Sequence, residues 1–141
     1  PEFCKKYKKY ERMGLRDLCQ HIHTLYAKYD IARLTTDMYL SDLTPAMKPS
    51  DAYAQIARRN TERVSVDALE GRITTSLLTP YPPGIPLLVP GEVFNKKIVD
   101  YLKFAREFNV QCPGFETDIH GMVEEVGDDG VKRYFADCVK T

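Results

Sequence analysis

The chain is predicted to be an α+β domain: N-terminal helices, then a small mixed or antiparallel sheet with a long helix and a C-terminal hairpin. Three observations predict it. Apolar residues recur at helical spacing through the first sixty residues. Short β-branched runs take over after that, beginning with Arg63-Val64-Ser65-Val66. Near the C-terminus two further runs flank Gly127-Asp128-Asp129-Gly130, whose last two residues are a hairpin-turn pair. At 141 residues, the span 1–141 suits one domain with a core of its own.

The elements follow in order. Phe3, Tyr7 and Tyr10 form an apolar stripe with most lysines off it, which reads as a solvated amphipathic helix or as basic residues interleaved with aromatics for nucleic acid. Gly14 breaks this helix. A second runs from Leu15 to Tyr29 on Leu15, Leu18, Cys19, Ile22, Leu25, Tyr26 and Tyr29. Ile31 to Leu40 is a further helix or an irregular segment. Pro45 and Pro49 mark a loop, and Ser50 suits an N-cap with Asp51 in the first turn. That helix carries Tyr53, Ile56 and Ala57 and stops near Asn60. Gly71 to Leu78 reads as a second strand.

Between Thr79 and Glu92 stand five prolines in fourteen residues. Each fixes φ, removes an N–H donor and pushes its predecessor toward extended geometry. With Ile85, Leu87, Leu88 and Val89 among them, the segment is expected to be a stiff, largely buried track, extended from Ile85 to Val89. Tyr81 is placed to precede a cis proline. A helix from Phe94 to Phe108 follows, with Ile98, Tyr101, Leu102, Ala105 and Phe108 on one side. Glu92 is expected to cap that helix or face its dipole, with substrate contact as the other reading. The final hairpin joins His120–Val126 to Val131–Val139.

Composition excludes several classes. Lys+Arg and Asp+Glu both number 20, and a neutral chain lacks the basic surplus that phosphate binding needs, so no nucleic-acid partner is expected. No apolar run approaches the roughly 20 residues of a membrane span, and the opening Pro1-Glu2-Phe3-Cys4 has no signal-peptide core. The abrupt start without Met suggests a piece of something longer. Cys4, Cys19, Cys112 and Cys138 form no CxxC pair, which argues against zinc and for reduced thiols in a cytosolic protein; Cys19 and Cys138 are expected in the core.

One constellation stands out. In Pro113-Gly114-Phe115-Glu116-Thr117-Asp118-Ile119-His120-Gly121, the residues Glu116, Asp118 and His120 are spaced i, i+2, i+4. On extended backbone they share one face, with Phe115, Thr117 and Ile119 on the other. The trio is either a functional cluster (an acidic rim for cations, an acid/base set, a metal site) or a hydrogen-bonded group pinning an edge strand. His21 and His23 diverge by roughly 200° on a helix and cannot share an ion; His23 is expected to border the buried face and His21 to be exposed. There is no nucleophile elbow and no glycine-rich phosphate loop.

Two motifs carry a resemblance. Pro80-Tyr81-Pro82-Pro83-Gly84-Ile85-Pro86 through Pro90-Gly91-Glu92, followed by the Pro113–Gly121 segment, resembles the C-terminal domain of the bacterial ornithine/lysine/arginine decarboxylases, closest to the lysine/arginine branch. Met13-Gly14-Leu15 and Ala46–Tyr53 fit it too. The resemblance implies a large cytoplasmic enzyme dependent on pyridoxal phosphate, which removes the α-carboxylate of a basic amino acid and works as a homodimer or higher oligomer. It implies a partner domain upstream in the same chain, holding the cofactor on a lysine within a Ser-x-His-Lys motif. No lysine here follows a His, so no catalytic, cofactor-binding or metal-binding residue is assigned in this chain, which is expected to be inactive alone. Glu116, Asp118 and His120 are then candidates for the substrate channel. Tyr81, Pro82, Pro83, Gly84, Pro90, Gly91 and Glu92 form the structural motif. A free-standing interaction or small-ligand module, with the proline segment as its recognition surface, is the competing reading.

Overall fold

The computed structural model describes residues 2–141. Helices come first: α1 (Glu2–Lys6), a 3-10 turn at Lys8–Tyr10, α2 (Leu15–Tyr29), α3 (Ile31–Tyr39) and α4 (Pro49–Ala57). Strand β1 (Thr61–Ser65), β2 (Thr79–Tyr81), helix α5 (Lys96–Gln111), β3 (Asp118–His120), β4 (Met122–Val126) and β5 (Lys132–Val139) follow. The architecture is α+β, as the sequence predicts. A three-stranded antiparallel sheet has the order β1-β5-β4, and a two-stranded ladder joins β2 to β3.

Helix α5 organises the core. Asn95 caps it, its side-chain oxygen accepting from the Ile98 N–H at 2.9 Å. Tyr26 and Tyr29 of α2 lay their rings on Phe104 and Phe108 on one side of it. On another side Asn109 meets Tyr134 of β5 and Arg106 meets Asp67. Burial of Ile98, Leu102, Phe104 and Phe108 together with Leu78, Leu88, Ala136 and Cys138 makes one continuous apolar core. The hairpin forms, Met122 pairing with Ala136 through Val126 with Lys132, and Gly130 closes the turn; its first strand starts at Met122 rather than at His120, which pairs with Thr79 of β2 instead.

Several expectations are corrected. Ser50 is not the cap of α4: Lys48 holds that position and Pro49 opens the helix, where a fixed φ and a missing N–H cost nothing. That helix buries Ala52 and leaves Tyr53 and Ile56 exposed. Gly71–Leu78 is no strand. Ile73, Thr74 and Leu78 each bridge a different partner (Val93, Cys138 and Leu88), and the Thr74 hydroxyl bonds Ser76 at both its N–H and its C=O, which pulls the chain out of a pleat. Cys19 is exposed, while Cys112 and Cys138 are buried; all four cysteines are free. The histidines are exchanged relative to expectation. His21 is half-buried with Nε2 3.4 Å from the Gln111 carbonyl oxygen at the end of α5, and His23 is exposed.

The proline segment is buried only at its base. Leu87 donates to the Leu78 carbonyl at 2.7 Å, and Leu78 donates to that of Leu88 at 2.9 Å. These two contacts bring Leu87 and Leu88 into the core, whereas Tyr81 through Pro86 and Val89 are exposed. The chain reverses at the tip, where Gly84 donates to the Pro80 carbonyl. The Tyr81–Pro82 bond is cis, as expected, and so is Pro82–Pro83. Glu92 does not cap α5; its Oε2 accepts from the Val89 N–H at 2.8 Å and closes the Val89-Pro90-Gly91-Glu92 turn. Gly91 has φ +94°, and a Cβ there would lie 2.3 Å from the Met47 carbonyl oxygen, so only glycine lets the segment before α4 pass.

Candidate functional site

The Pro113–Gly121 segment is held in place from three sides. At its start, Tyr10 donates to the Pro113 carbonyl at 2.9 Å, and Phe3 and Tyr10 pack on Phe115 with centroids at 5.3 and 5.8 Å, Tyr7 in turn packing on Phe3. That contact is what the N-terminal aromatic stripe is for in this fold. At its end, Gly121 takes φ +93°, and a Cβ would lie 2.2 Å from the Leu77 carbonyl oxygen. In between, the buried Asn109 of α5 grips the backbone of Thr117. Its Oδ1 accepts from the Thr117 N–H at 2.9 Å, and its Nδ2 donates to the Thr117 carbonyl and to the Tyr134 hydroxyl, both at 3.2 Å. One amide side chain thereby satisfies both backbone groups of Thr117.

Fixing Thr117 fixes what flanks it. Thr117 and Ile119 turn inward, and Glu116, Asp118 and His120 all face solvent. The alternation expected from the spacing therefore holds over Glu116–His120, although Phe115 is 39% exposed and only Asp118–His120 is strand. Glu116 and Asp118 border a cleft of about 370 Å³ between α5 and the hairpin, with Glu124, Lys132, Arg106 and Asn109 also on its walls and Leu102, Ile119 and Met122 below. His120 is not on those walls; its Nε2 lies 3.3 Å from Asp118 Oδ2.

The charges of the cleft are unevenly satisfied. Arg106 is drawn to Asp67 at 2.7 Å, and that guanidinium holds the Asp67 carboxyl below its usual range. Lys132 pairs with Glu124 at 2.5 Å. The Glu124 carboxylate raises the Lys132 ammonium above its usual pKa, with Tyr134 and then Glu116 adding smaller contributions. With both cations engaged, Glu116 has no ion-pair partner among the described residues, and Asp118 has only His120. The cleft can attract a cation by its field. No group of three His, Cys, Asp or Glu has metal-holding geometry among the described residues.

Sequence reasoning found Glu116 and Asp118 but missed Asn109, Lys132 and Glu124. A signal for Asn109 was present: it falls four residues after Ala105 on the apolar stripe of α5, and a polar residue on a buried stripe needs specific partners.

Comparison with known proteins bears on this geometry. The sequence profile of the family described as Orn/Lys/Arg decarboxylase, C-terminal domain, matches residues 32–140. The chain belongs to that family. It is 43% identical over 136 residues to lysine decarboxylase LdcA of Pseudomonas aeruginosa, covering 94% of this chain and 18% of the relative. To the constitutive ornithine decarboxylase of Escherichia coli it is 35% identical over 143 residues, covering 99% of this chain and 20% of the relative. Two solved structures agree. Lysine decarboxylase A from Pseudomonas aeruginosa superposes with TM-score 0.88 at 42% identity, over 96% of this chain and 18% of that one. The Escherichia coli constitutive lysine decarboxylase gives 0.87 at 32%, over 99% and 20%. The chain thus spans about a fifth of the length of the curated relatives it matches. The motifs favour the lysine/arginine branch, and of the two relatives above the lysine decarboxylase has the higher identity.

As an Orn/Lys/Arg decarboxylase C-terminal domain, the chain can be tested for residues suited to a pyridoxal cofactor. A Schiff-base lysine needs burial or a cationic neighbour to lower its pKa. No lysine is buried among the described residues, and the carboxylate partners of Lys96 and Lys132 shift them the other way. The residues present do not fit the cofactor. Among the described residues no helix is long and apolar enough to cross a membrane.

Proposed function

We propose that residues 1–141 serve as the C-terminal domain of a pyridoxal-phosphate-dependent, cytoplasmic decarboxylase of lysine, arginine or ornithine, and that the acidic cleft borders the path of its cationic substrate. The observation that carries this reading is the pair Glu116 and Asp118, two open carboxylates on one wet face, aimed from a backbone that Asn109 grips. The full enzyme removes the α-carboxylate as CO₂ and releases a diamine or agmatine. The cofactor domain lies upstream in the same subunit, and the subunits form homodimers or larger assemblies. Carboxylates at a channel mouth raise the local concentration of a dication and steer its approach without touching the reacting bond. His120, beside Asp118, orients that carboxylate.

Exposed apolar surface supports a missing neighbour. Tyr53 is 70% exposed and Tyr81 62% exposed, and Ile85 at the tip of the proline segment is open as well. A soluble chain that leaves such groups bare has a surface for another part of its enzyme. The same exposed tip is what the reading as a free-standing recognition module would require, but relatives of five times the length favour an enzyme part.

The test is kinetic. In the full enzyme carrying this chain, Glu116→Gln with Asp118→Asn raises KM for the basic amino acid about threefold at low salt and leaves kcat alone. The difference disappears near 1 M salt, where the Debye length is about 3 Å. A KM identical to that of the parent at every ionic strength removes the channel role.

A further inference from the structure

Residues 3–10 lie as a strap against the start of the Pro113–Gly121 segment. Its apolar contacts are Phe3 and Tyr10 on Phe115, and its neutral hydrogen bond runs from Tyr10 to the Pro113 carbonyl. Gly114 takes φ +91° beneath it, and a Cβ there would lie 2.7 Å from the Phe3 ring. One further contact is charged. Lys9, the residue before Tyr10, donates from Nζ to the Gln111 carbonyl at the end of α5. The last carbonyls of a helix have no partner within it and carry the negative end of its dipole, so a cation there is favourable.

His21 of α2 reaches the same point. Its Nε2 lies 3.4 Å from Lys9 Nζ and 3.4 Å from the Gln111 carbonyl oxygen. An ammonium has donors only, so its contact with Nε2 requires that nitrogen to be unprotonated and to accept. The proton of the neutral ring is thereby assigned to Nδ1, and Lys9 bridges His21 to α5. A proton taken from solvent onto Nε2 reverses this. Lys9 loses an acceptor and meets an imidazolium, while the new Nε2–H is a donor beside the Gln111 carbonyl. Two cations then compete for one oxygen. The imidazole is half-buried on a packed helix and Lys9 is exposed on a flexible stem, so Lys9 is the one that leaves.

The surrounding charges do not prevent the exchange. On α5, Glu107 Oε1 accepts from Gln111 Nε2 at 3.2 Å. On α2, one turn before His21, Asp17 Oδ2 accepts from the Gly14 N–H at 2.9 Å. Neither carboxylate is spent on the imidazole. Burial raises the Cys112 thiol and the Tyr10 phenol, which keeps both neutral. We propose that Lys9 and His21 form a proton-operated latch: with His21 neutral, Lys9 ties the strap to the end of α5, and with His21 protonated the strap loosens from Pro113–Phe115. The latch stands whether or not Glu116 and Asp118 serve a substrate path.

Hydrogen exchange in the full enzyme carrying this chain tests it, read as protection factors at about pH 8 and about pH 5.5, a range across which histidine changes charge. At the lower pH the amides of Tyr10, Met13 and Phe115 are expected to lose about fivefold in protection, the size of a screened like-charge contact at 3.4 Å. Leu78 and Leu87 keep theirs. His21→Gln retains an uncharged oxygen as acceptor for Lys9, and it is expected to hold the higher protection at both pH values. Lys9→Met loses the tie, and it is expected to show about fivefold lower protection at both. Three results overturn the proposal. The first is protection in the parent that is equal or greater at the lower pH. The second is a loss that persists in His21→Gln, which would assign it to His23, His120 or a carboxylate. The third is a Lys9→Met variant as protected as the parent at the higher pH.

Discussion

The two motif segments that pair along β2 and β3 reach definite shapes by opposite means. In the proline segment, covalent restriction does most of the work. Tyr81 through Pro86 stand exposed with no charge among them, and only Leu87 and Leu88 anchor them in the core. In the Pro113–Gly121 segment, between its two left-handed glycines, a side chain from another element, Asn109, supplies the restriction. The difference follows from what each presents. A charge-free tip needs only shape, which ring closure gives without partners. Open carboxylates need an aim that persists while they repel each other, and an aim of that kind comes from buried hydrogen bonds.

The two segments share one device, and breaking it has the largest expected effect. Each ends on a glycine pressed against a carbonyl of a neighbouring strand or loop, Gly91 on Met47 and Gly121 on Leu77. Gly121→Ala and Gly91→Ala each add a Cβ where there is no room and force a left-handed residue, so each is expected to cost about 4 kcal/mol or more. Urea unfolding of the variants measures this. A loss below about 1 kcal/mol would mean that the close approach relaxes freely and that the segments are not held as described.

Next in size is the element that distinguishes the two. Asn109→Leu keeps volume on the buried stripe of α5 but leaves the Thr117 N–H and C=O and the Tyr134 hydroxyl without their partner. The expected loss is about 3 kcal/mol. Hydrogen exchange should rise at the Thr117 amide and stay unchanged at Leu78 and Leu87 in the base of the proline segment. Equal loosening of both segments would show that they are one cooperative unit and that the contrast drawn between them is false.

How much of this was legible in the sequence follows the same contrast. Local pattern decided α2, whose limits match Leu15–Tyr29, and the hairpin round Gly130, because spacing and turn chemistry are properties of consecutive residues. The alternation of Glu116, Asp118 and His120 was equally local. What pattern missed was set by partners distant in sequence. His21 is half-buried because the end of α5 lies over it, and Glu92 turns back to Val89 because Asn95 already caps α5. Gly71–Leu78 has strand composition, yet its bridges go to three different segments. The proline segment looked buried from its apolar content, but a tip that reverses can bury only one end.

The apolar side of the comparison should answer to pH only in alkali. Tyr101, in the aromatic wall under the prolines, is raised by burial from about 10 to about 12. A raised pKa means the neutral form is favoured in the fold, so its contribution is complete below pH 10 and is lost as pH rises through 12. Stability should fall there by about 1.4 kcal/mol per pH unit from this group, and Tyr101→Phe should make the fall shallower by that amount. Cys138, also raised to about 12 by burial, keeps part of the slope in the variant. An identical slope in parent and variant between pH 10 and 12 would mean that Tyr101 ionises freely in the folded state.

The smallest expected effect decides what the carboxylates are for. If Glu116, Asp118 and His120 pin an edge strand, then Glu116→Gln with Asp118→Asn removes the charged acceptor beside His120 and should lower stability by 1 kcal/mol or more. If they form a rim for cations, their side chains do little in folding, since Asp118 is 72% and His120 66% exposed and an ion pair in that setting is worth a few tenths of a kcal/mol. Here the aim of the trio comes from Asn109 through the Thr117 backbone, which the double substitution leaves untouched. The double variant is therefore expected to unfold within about 0.5 kcal/mol of the parent while KM rises at low salt. A variant that lost stability but kept its KM would return the trio to a purely structural role. It would also leave the charged segment, like the proline segment, with shape alone to offer.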